Sequence, residues 1–170
     1  MRSAPVAVIV MGVCGSGKTT VSRELAARIG AQFEEGDAYH PEANVAKMSR
    51  GEPLNDDDRK PWLELIASKI QKHFQTGNSV VFACSALKEM YRTILAGGCD
   101  RVYFLHLAAK KEVIIERMRN RQGHFMPISL IESQFATLEP PVDSDHVLTV
   151  DVGENDVHDV VEKTMKWLRI

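Results

Sequence analysis

Eight consecutive residues, Gly12-Val13-Cys14-Gly15-Ser16-Gly17-Lys18-Thr19, satisfy the pattern G-x-x-x-x-G-K-[ST] in full. The chemistry of such a stretch is the holding of a polyphosphate. Glycines let successive main-chain N–H groups turn inward around an anion, and a helix beginning directly behind them adds positive potential. Lys18 is placed to reach the β- and γ-phosphates, and the Thr19 hydroxyl is a hard oxygen donor for Mg²⁺. Residues 12–19, with Thr20 next in line, are expected to bind ATP or GTP. A glycine-rich turn without a ligand is the competing reading. The apolar run before the loop and the helical pattern after it disfavour that reading.

Phosphate binding does not fix a reaction, so residues beyond the other strand ends matter. In Glu34-Glu35-Gly36-Asp37-Ala38-Tyr39-His40-Pro41, Asp37 stands just past a short strand. Transfer to a hydroxyl needs a carboxylate that orients the hydroxyl and accepts its proton. Asp37 is the candidate, with Mg²⁺ held through water as a second role; a chemically silent Gly-Asp turn fits equally well. Asp56, Asp57 and Asp58 suit a helix start, where they complement the dipole. Arg59 offers a planar fork to an acidic substrate, and Trp62 reads as core. Lys88 and Arg92 are spaced i,i+4, which predicts one helical face turned toward the strand-end cleft. Paired cations there suit a carboxylate or a phosphate, and a solvated face is the alternative. Arg117, Arg119 and Arg121 lead into Gln122-Gly123-His124-Phe125. A lid at about 119–130 would lay guanidinium groups on the transferred phosphoryl group and exclude water. The dipole alone also favours cations at a helix end.

Several classes are disfavoured. Switch GTPases and motor ATPases use a strand ending in a Mg²⁺-ligating Asp, whereas the third strand reads Phe82-Ala83-Cys84-Ser85, and no Asn-Lys-x-Asp occurs. A small-molecule kinase fits better. The 170 residues carry 21 Lys and Arg against 23 Asp and Glu, a net charge of -2, which argues against nucleic-acid binding by bulk charge. Cys14, Cys84 and Cys99 form no C-x-x-C, and the histidines show no metal-ligand spacing. The apolar run at 6–11 is too short for a secretory signal, and no run approaches the ~18 residues of a membrane span. A cytoplasmic protein with no membrane partner is expected.

These side chains need a scaffold, and the apolar pattern supplies one. Strands are expected at 6–11, 32–35, 80–84, 102–107 and 147–150. Helices are expected at 18–29, 44–49, 87–95, 111–121, 129–138 and 155–168, with Ser129 as an N-cap and Glu132 completing a capping box. Another helix starts in the acidic cluster, carries Trp62, Leu65, Ile66, Ile70 and Phe74 at helical spacing, and stops at Gly77. Strands alternating with helices imply an α/β fold whose parallel sheet is covered on both faces, with ligands beyond the strands' carboxyl ends. One domain over 1–170 is expected, so the acceptor must share the ATP cleft.

A resemblance to a family then becomes specific. It is carried by the phosphate loop, by Gly36-Asp37-x-x-His40-Pro41, by Asn44 with Lys47-Met48, and by Gly51-Glu52-Pro53-Leu54-Asn55-Asp56-Asp57-Asp58-Arg59-Lys60-Pro61-Trp62. Cys84-Ser85-Ala86-Leu87-Lys88 with Tyr91-Arg92, Gly123-His124-Phe125, Gln134-Phe135, Thr137-Leu138-Glu139 and Val150-Asp151 extend it. Together they resemble the gluconate kinases over nearly the whole chain, most specifically in the run from Gly51 to Trp62.

The resemblance implies a P-loop NTPase fold of the nucleoside-monophosphate-kinase type, with a five-stranded parallel sheet flanked by helices and a short lid. It also implies a homodimer and Mg²⁺-dependent transfer from ATP to the 6-hydroxyl of D-gluconate. Under it, Lys18, Asp37 and Arg121 are catalytic, Arg117 lies near adenine, and Arg121 near the phosphates. Asp37, His40, Arg59, Ser85, Lys88, Arg92 and Gln134 make up the substrate side. Two positions depart from the family: Glu35, where Asp is frequent, and Cys14, where Ser is common. No direct Mg²⁺ role is therefore assigned to Glu35. The rivals are a kinase for another small acid such as shikimate or for a nucleotide, and a nucleotide-binding regulatory module without phosphotransfer.

Overall fold

The computed structural model describes residues 3–120 and 127–170. Strand β1 (Ala7–Met11) is apolar throughout because both of its faces are buried. It is the centre of a five-stranded sheet whose other members are β2 (Gln32–Glu35), β3 (Val80–Ala83), β4 (Val102–Ala108) and β5 (Val147–Asp151). The spatial order is β2-β3-β1-β4-β5, and every pairing is parallel. Parallel neighbours require crossovers, which the helices provide. These are α1 (Lys18–Ile29), α2 (Glu42–Ser49), α3 (Asp56–Gln75), α4 (Glu89–Ala96), α5 (Lys111–Arg119), α6 (Ile128–Thr137) and α7 (Val157–Leu168).

Strand periodicity divides the core. Ala7, Ile9 and Met11 pack with Leu63, Ile66 and Ile70 of α3 and with Tyr91 and Leu95 of α4. Val8 and Val10 point the other way, to Val21 and Leu25 of α1 and Val160 and Val161 of α7. Ile9 is fully buried and lies in register with Phe82 and Phe104. Truncating such a residue to Ala costs about 2–5 kcal/mol. A third cluster of Val13, Leu87, Ile114, Met118 and Ile131 seats the phosphate loop against α5 and α6. Among the described residues no helix is long and apolar enough to cross a membrane.

The expected strands are present to within a residue or so at each end, but four helix starts differ, the first being α2, which begins at Glu42 rather than 44. α4 begins at Glu89 rather than 87, with Lys88 extended at its N-cap. The cap of α6 is Pro127, with no side-chain cap, so Ser129 lies inside the helix and its capping box is not formed. Proline at the cap has no side-chain oxygen to accept from the first-turn N–H groups. α7 begins at Val157, where Asp156 and Asp159 form a capping box that the sequence reading placed no cap upon. α5 ends at Arg119. Half of the expected lid, residues 121–126, lies outside the described residues.

Candidate active site

The phosphate loop leaves the central strand at Gly12, whose N–H donates to the Ser85 carbonyl at 3.2 Å. Ser16 is buried, and its Oγ donates to the Val13 carbonyl at 2.7 Å, closing the turn from within. Gly15 sits at φ +80, and a Cβ there would fall 2.8 Å from Met118 Sδ. Only glycine satisfies both the backbone and the close approach. Lys18 arches over the loop, with Nζ donating to the carbonyls of Gly12 and Val13 at 3.1 and 3.0 Å. Burial pushes the pKa of this amine down, and Asp37 is the largest opposing influence. Thr19 Oγ1 donates to Glu35 Oε2 at 2.8 Å. Lys18, Thr19, Thr20, Glu35, Asp37 and Arg117 thus share one cleft of about 350 Å³.

The turn that carries Asp37 is placed by tight local packing. Gly36 opens a 3-10 turn, Gly36–Tyr39, directly after β2. A Cβ at Gly36 would stand 2.7 Å from the Ala83 carbonyl, so only glycine lets the turn press against the end of β3. Trp62 is 3% exposed, as expected of core, but its Nε1 also donates to the Gly36 carbonyl at 2.8 Å. Its ring stacks on His40 at 4.0 Å between centroids. The amide nitrogen of buried Asn44 donates to the Asp58 carbonyl at 2.9 Å and lies 3.3 Å from His40 Nδ1. That nitrogen can only donate, so Nδ1 accepts and the neutral ring carries its proton on Nε2. Burial holds the His40 pKa below its usual value, which favours the neutral ring. Trp62 and Asn44 thus hold Gly36 and His40 in place, contacts that the sequence pattern did not reveal.

The acidic cluster divides its labour. Asp58 caps α3 with Asn55 and also accepts from Lys47 at 2.7 Å. Asp57 is exposed. Asp56 accepts from Lys88 Nζ at 3.0 Å and from the Tyr91 hydroxyl at 2.5 Å, and Arg59 Nη1 donates to that same hydroxyl at 3.1 Å. Arg59 and Lys88 are thereby brought together from separate elements.

Other expected residues are placed differently. Lys88 precedes α4, so Lys88 and Arg92 do not share a helical face, which corrects that expectation. Arg92 is buried, and its two terminal nitrogens donate to the carbonyls of Ala86 and Glu139, each at 2.8 Å. Its charge is used to tie the β3–α4 loop to the chain after α6. Ala86 there adopts φ +46, a strained conformation for a residue with a Cβ. Gln134 Oε1 accepts from the Cys14 N–H at 2.6 Å, which places Gln134 on the phosphate loop. Burial raises the pKa of the Cys14 thiol. Arg117 lines the phosphate cleft and donates to the Val152 carbonyl. Arg121 lies outside the described residues. A larger groove of about 790 Å³ runs between α4 and the chain before β5, lined by Arg92, Glu139, Pro141 and Val142, but the phosphate loop is not part of it.

Sheet order, loop and cleft define a P-loop kinase, and a family profile described as an AAA domain matches residues 8–135. A gluconokinase of Gluconobacter oxydans (strain 621H) is 46% identical over 166 residues, covering 98% of this chain and 93% of the relative. The crystal structure of a gluconokinase from Sinorhizobium meliloti 1021 superposes with a TM-score of 0.86 at 41% identity, covering 99% of this chain and 94% of that one. An unliganded sugar kinase from Janibacter sp. HTCC2649 gives a TM-score of 0.89 at 43% identity, over 98% and 95% of the two chains. The chain belongs to the gluconokinase family.

Proposed function

We propose that this protein transfers the γ-phosphoryl group of ATP to the 6-hydroxyl of D-gluconate, giving 6-phospho-D-gluconate and ADP. The observation that carries the reading is the convergence of Lys18, Thr19 and Asp37 on one cleft beyond the ends of β1 and β2. Family membership supplies the acceptor. Lys18 is assigned to the β- and γ-phosphates, where it would exchange its two loop carbonyls for phosphate oxygens. Asp37 is assigned to orient the acceptor hydroxyl and take its proton. His40 presents a neutral Nε2–H donor, and Arg59 and Lys88 present cations to the acid. Ser85, Arg92 and Gln134 support the two loops through the main-chain contacts described above. Arg117 is assigned to the nucleotide, and Arg121 with the 119–130 segment to the lid.

The residues also suit Mg²⁺, which binds proteins through one or two carboxylates together with phosphate oxygens. Thr19, Glu35 and Asp37 offer hard oxygen donors on one wall of the cleft. Among the described residues no cluster of three or more His, Cys, Asp and Glu side chains is poised to hold a metal alone. Bound there, Mg²⁺ would neutralise charge on the nucleotide's phosphates. A homodimer working in the cytoplasm on gluconate breakdown completes the reading. The resemblance of motifs supports that part, and light scattering tests the dimer.

The deciding experiment measures ADP release from the purified protein with gluconate, shikimate and nucleoside monophosphates in turn. Gluconate-dependent release is expected. Turnover only with another acceptor overturns the substrate, and ATP binding without any acceptor-dependent turnover overturns the enzyme.

A further inference from the structure

Arg59 lies on α3 and Lys88 ahead of α4, yet one phenol joins them. Arg59 Nη1 donates to Tyr91 Oη at 3.1 Å, and Tyr91 Oη donates to Asp56 Oδ1 at 2.5 Å. Lys88 Nζ donates to both Asp56 oxygens, at 3.0 and 3.2 Å. Both cations also stand against the same ring. The Arg59 guanidinium carbon is 5.6 Å from the Tyr91 centroid, and Lys88 Nζ is 5.7 Å from it. The electron-rich face of an aromatic ring attracts a cation, so one ring and one carboxylate together offset the repulsion of two neighbouring positive charges.

The ring itself is not free to move. Tyr91 is 4% exposed and belongs to the cluster that contains Trp62, Leu63, Ile66 and Leu95. Its single hydroxyl proton goes to Asp56, so its oxygen is left to accept from Arg59. Arg59 makes one side-chain hydrogen bond among the described residues, the one to Tyr91, and the remaining guanidinium N–H groups keep their capacity to donate. A long flexible cation anchored at one nitrogen in this way loses less freedom when an anion arrives.

We propose that Tyr91 and Asp56 are positioning residues for the acid acceptor, holding Arg59 and Lys88 at a fixed separation as a two-cation seat for its carboxylate end. The proposal rests on the gluconokinase reading above. Neither residue touches the acceptor or the transferred group, so their loss weakens acceptor binding and leaves the phosphate machinery of Lys18 and Asp37 in place. A merely structural Tyr91 would act through its ring, which also packs α4 on α3.

Tyr91→Phe separates these roles, because it keeps the ring and removes only the oxygen. The full-length wild type, Tyr91→Phe, Asp56→Asn and Lys88→Met, and the Tyr91→Phe/Lys88→Met pair, are compared by steady-state kinetics and thermal unfolding. In Tyr91→Phe and Asp56→Asn, KM for gluconate rises about tenfold, while kcat and KM for ATP stay within about twofold. The double variant is less impaired than the product of its two single effects, as expected for residues in one network. An unchanged gluconate KM in Tyr91→Phe overturns the proposal, as does an equal loss in ATP KM or strict additivity of the pair. If Tyr91→Phe does not fold, Asp56→Asn, at the exposed start of α3, decides by the same criteria. A wild type that does not turn over gluconate overturns the functional reading itself, and the seat with it.

Discussion

The Thr19 hydroxyl donates to the Glu35 carboxylate at 2.8 Å, joining the last residue of the phosphate loop to the last residue of β2. Thr19 is the residue that its motif assigns to a metal, so the proposed Mg²⁺ would have Glu35 beside it. Glu35→Gln keeps a hydrogen-bond acceptor and removes the charge. It should raise the Mg²⁺ concentration needed for half-maximal rate by about tenfold, while Glu35→Asp keeps near-normal dependence. A Mg²⁺ titration of the rate decides, and an unaltered curve for Glu35→Gln removes Glu35 from the metal's surroundings.

Asp37→Asn tests the acceptor carboxylate. The change is nearly isosteric in an exposed turn, so folding is preserved. Loss of a general base costs about 10²- to 10⁴-fold in turnover. ATP affinity, measured by calorimetry, is expected to hold. A variant with normal kcat rules out the role.

Gly36→Ala probes how that carboxylate is placed. The new methyl group meets the Ala83 carbonyl at 2.7 Å, and main chain cannot swing aside. The turn is displaced from β3 and from its hydrogen bond with Trp62. Stability should fall by about 1–3 kcal/mol, with a larger loss of activity than of ATP binding. Urea unfolding alongside the coupled assay checks both.

His106 on β4 predicts a pH dependence of stability. It is 4% exposed, and its Nδ1 has no hydrogen-bond partner among the described residues. Burial, followed by the charge of Arg92, pushes its pKa down to about 4 from 6.5. Above 6.5 the ring is neutral in both folded and unfolded chains, and no penalty arises. Between 6.5 and about 4 the unfolded chain takes a proton that the native protein refuses, so stability falls as pH falls. The loss approaches about 3 kcal/mol and levels off below the folded-state pKa. Urea unfolding at pH 7 and pH 4.5 measures it. His106→Leu should show a smaller decline over that interval, and an equal decline in both proteins excludes His106 as the source.

The sheet was legible because its three inner strands, β1, β3 and β4, are largely apolar runs, and the phosphate loop because its pattern fixes backbone as well as side chains. Asp37 and Arg59 could be nominated from their places beyond strand and helix starts. What one dimension hid was which cations are already engaged. Spacing paired Lys88 with Arg92, yet α4 starts one residue after Lys88, leaving Arg92 buried on main-chain carbonyls and Lys88 facing Asp56. Asn44, Tyr91 and Trp62 were readable as motif or core, but their polar atoms found partners 14, 32 and 26 residues away. Glu35 departs from the family pattern, and the sequence alone did not show that its carboxylate meets the Thr19 hydroxyl.

The Gly12 N–H bonded to the Ser85 carbonyl makes the first residue of the nucleotide loop and the loop after β3 parts of one joint. On the proposed reading, a movement of the β3–α4 loop as the acid settles would pass through this hydrogen bond to the backbone assigned to phosphate. Coupling of this kind is reciprocal: whatever the acid does to nucleotide affinity through that joint, the nucleotide does in equal measure to the affinity for the acid. Each substrate would then be an effector of the other within a single cleft.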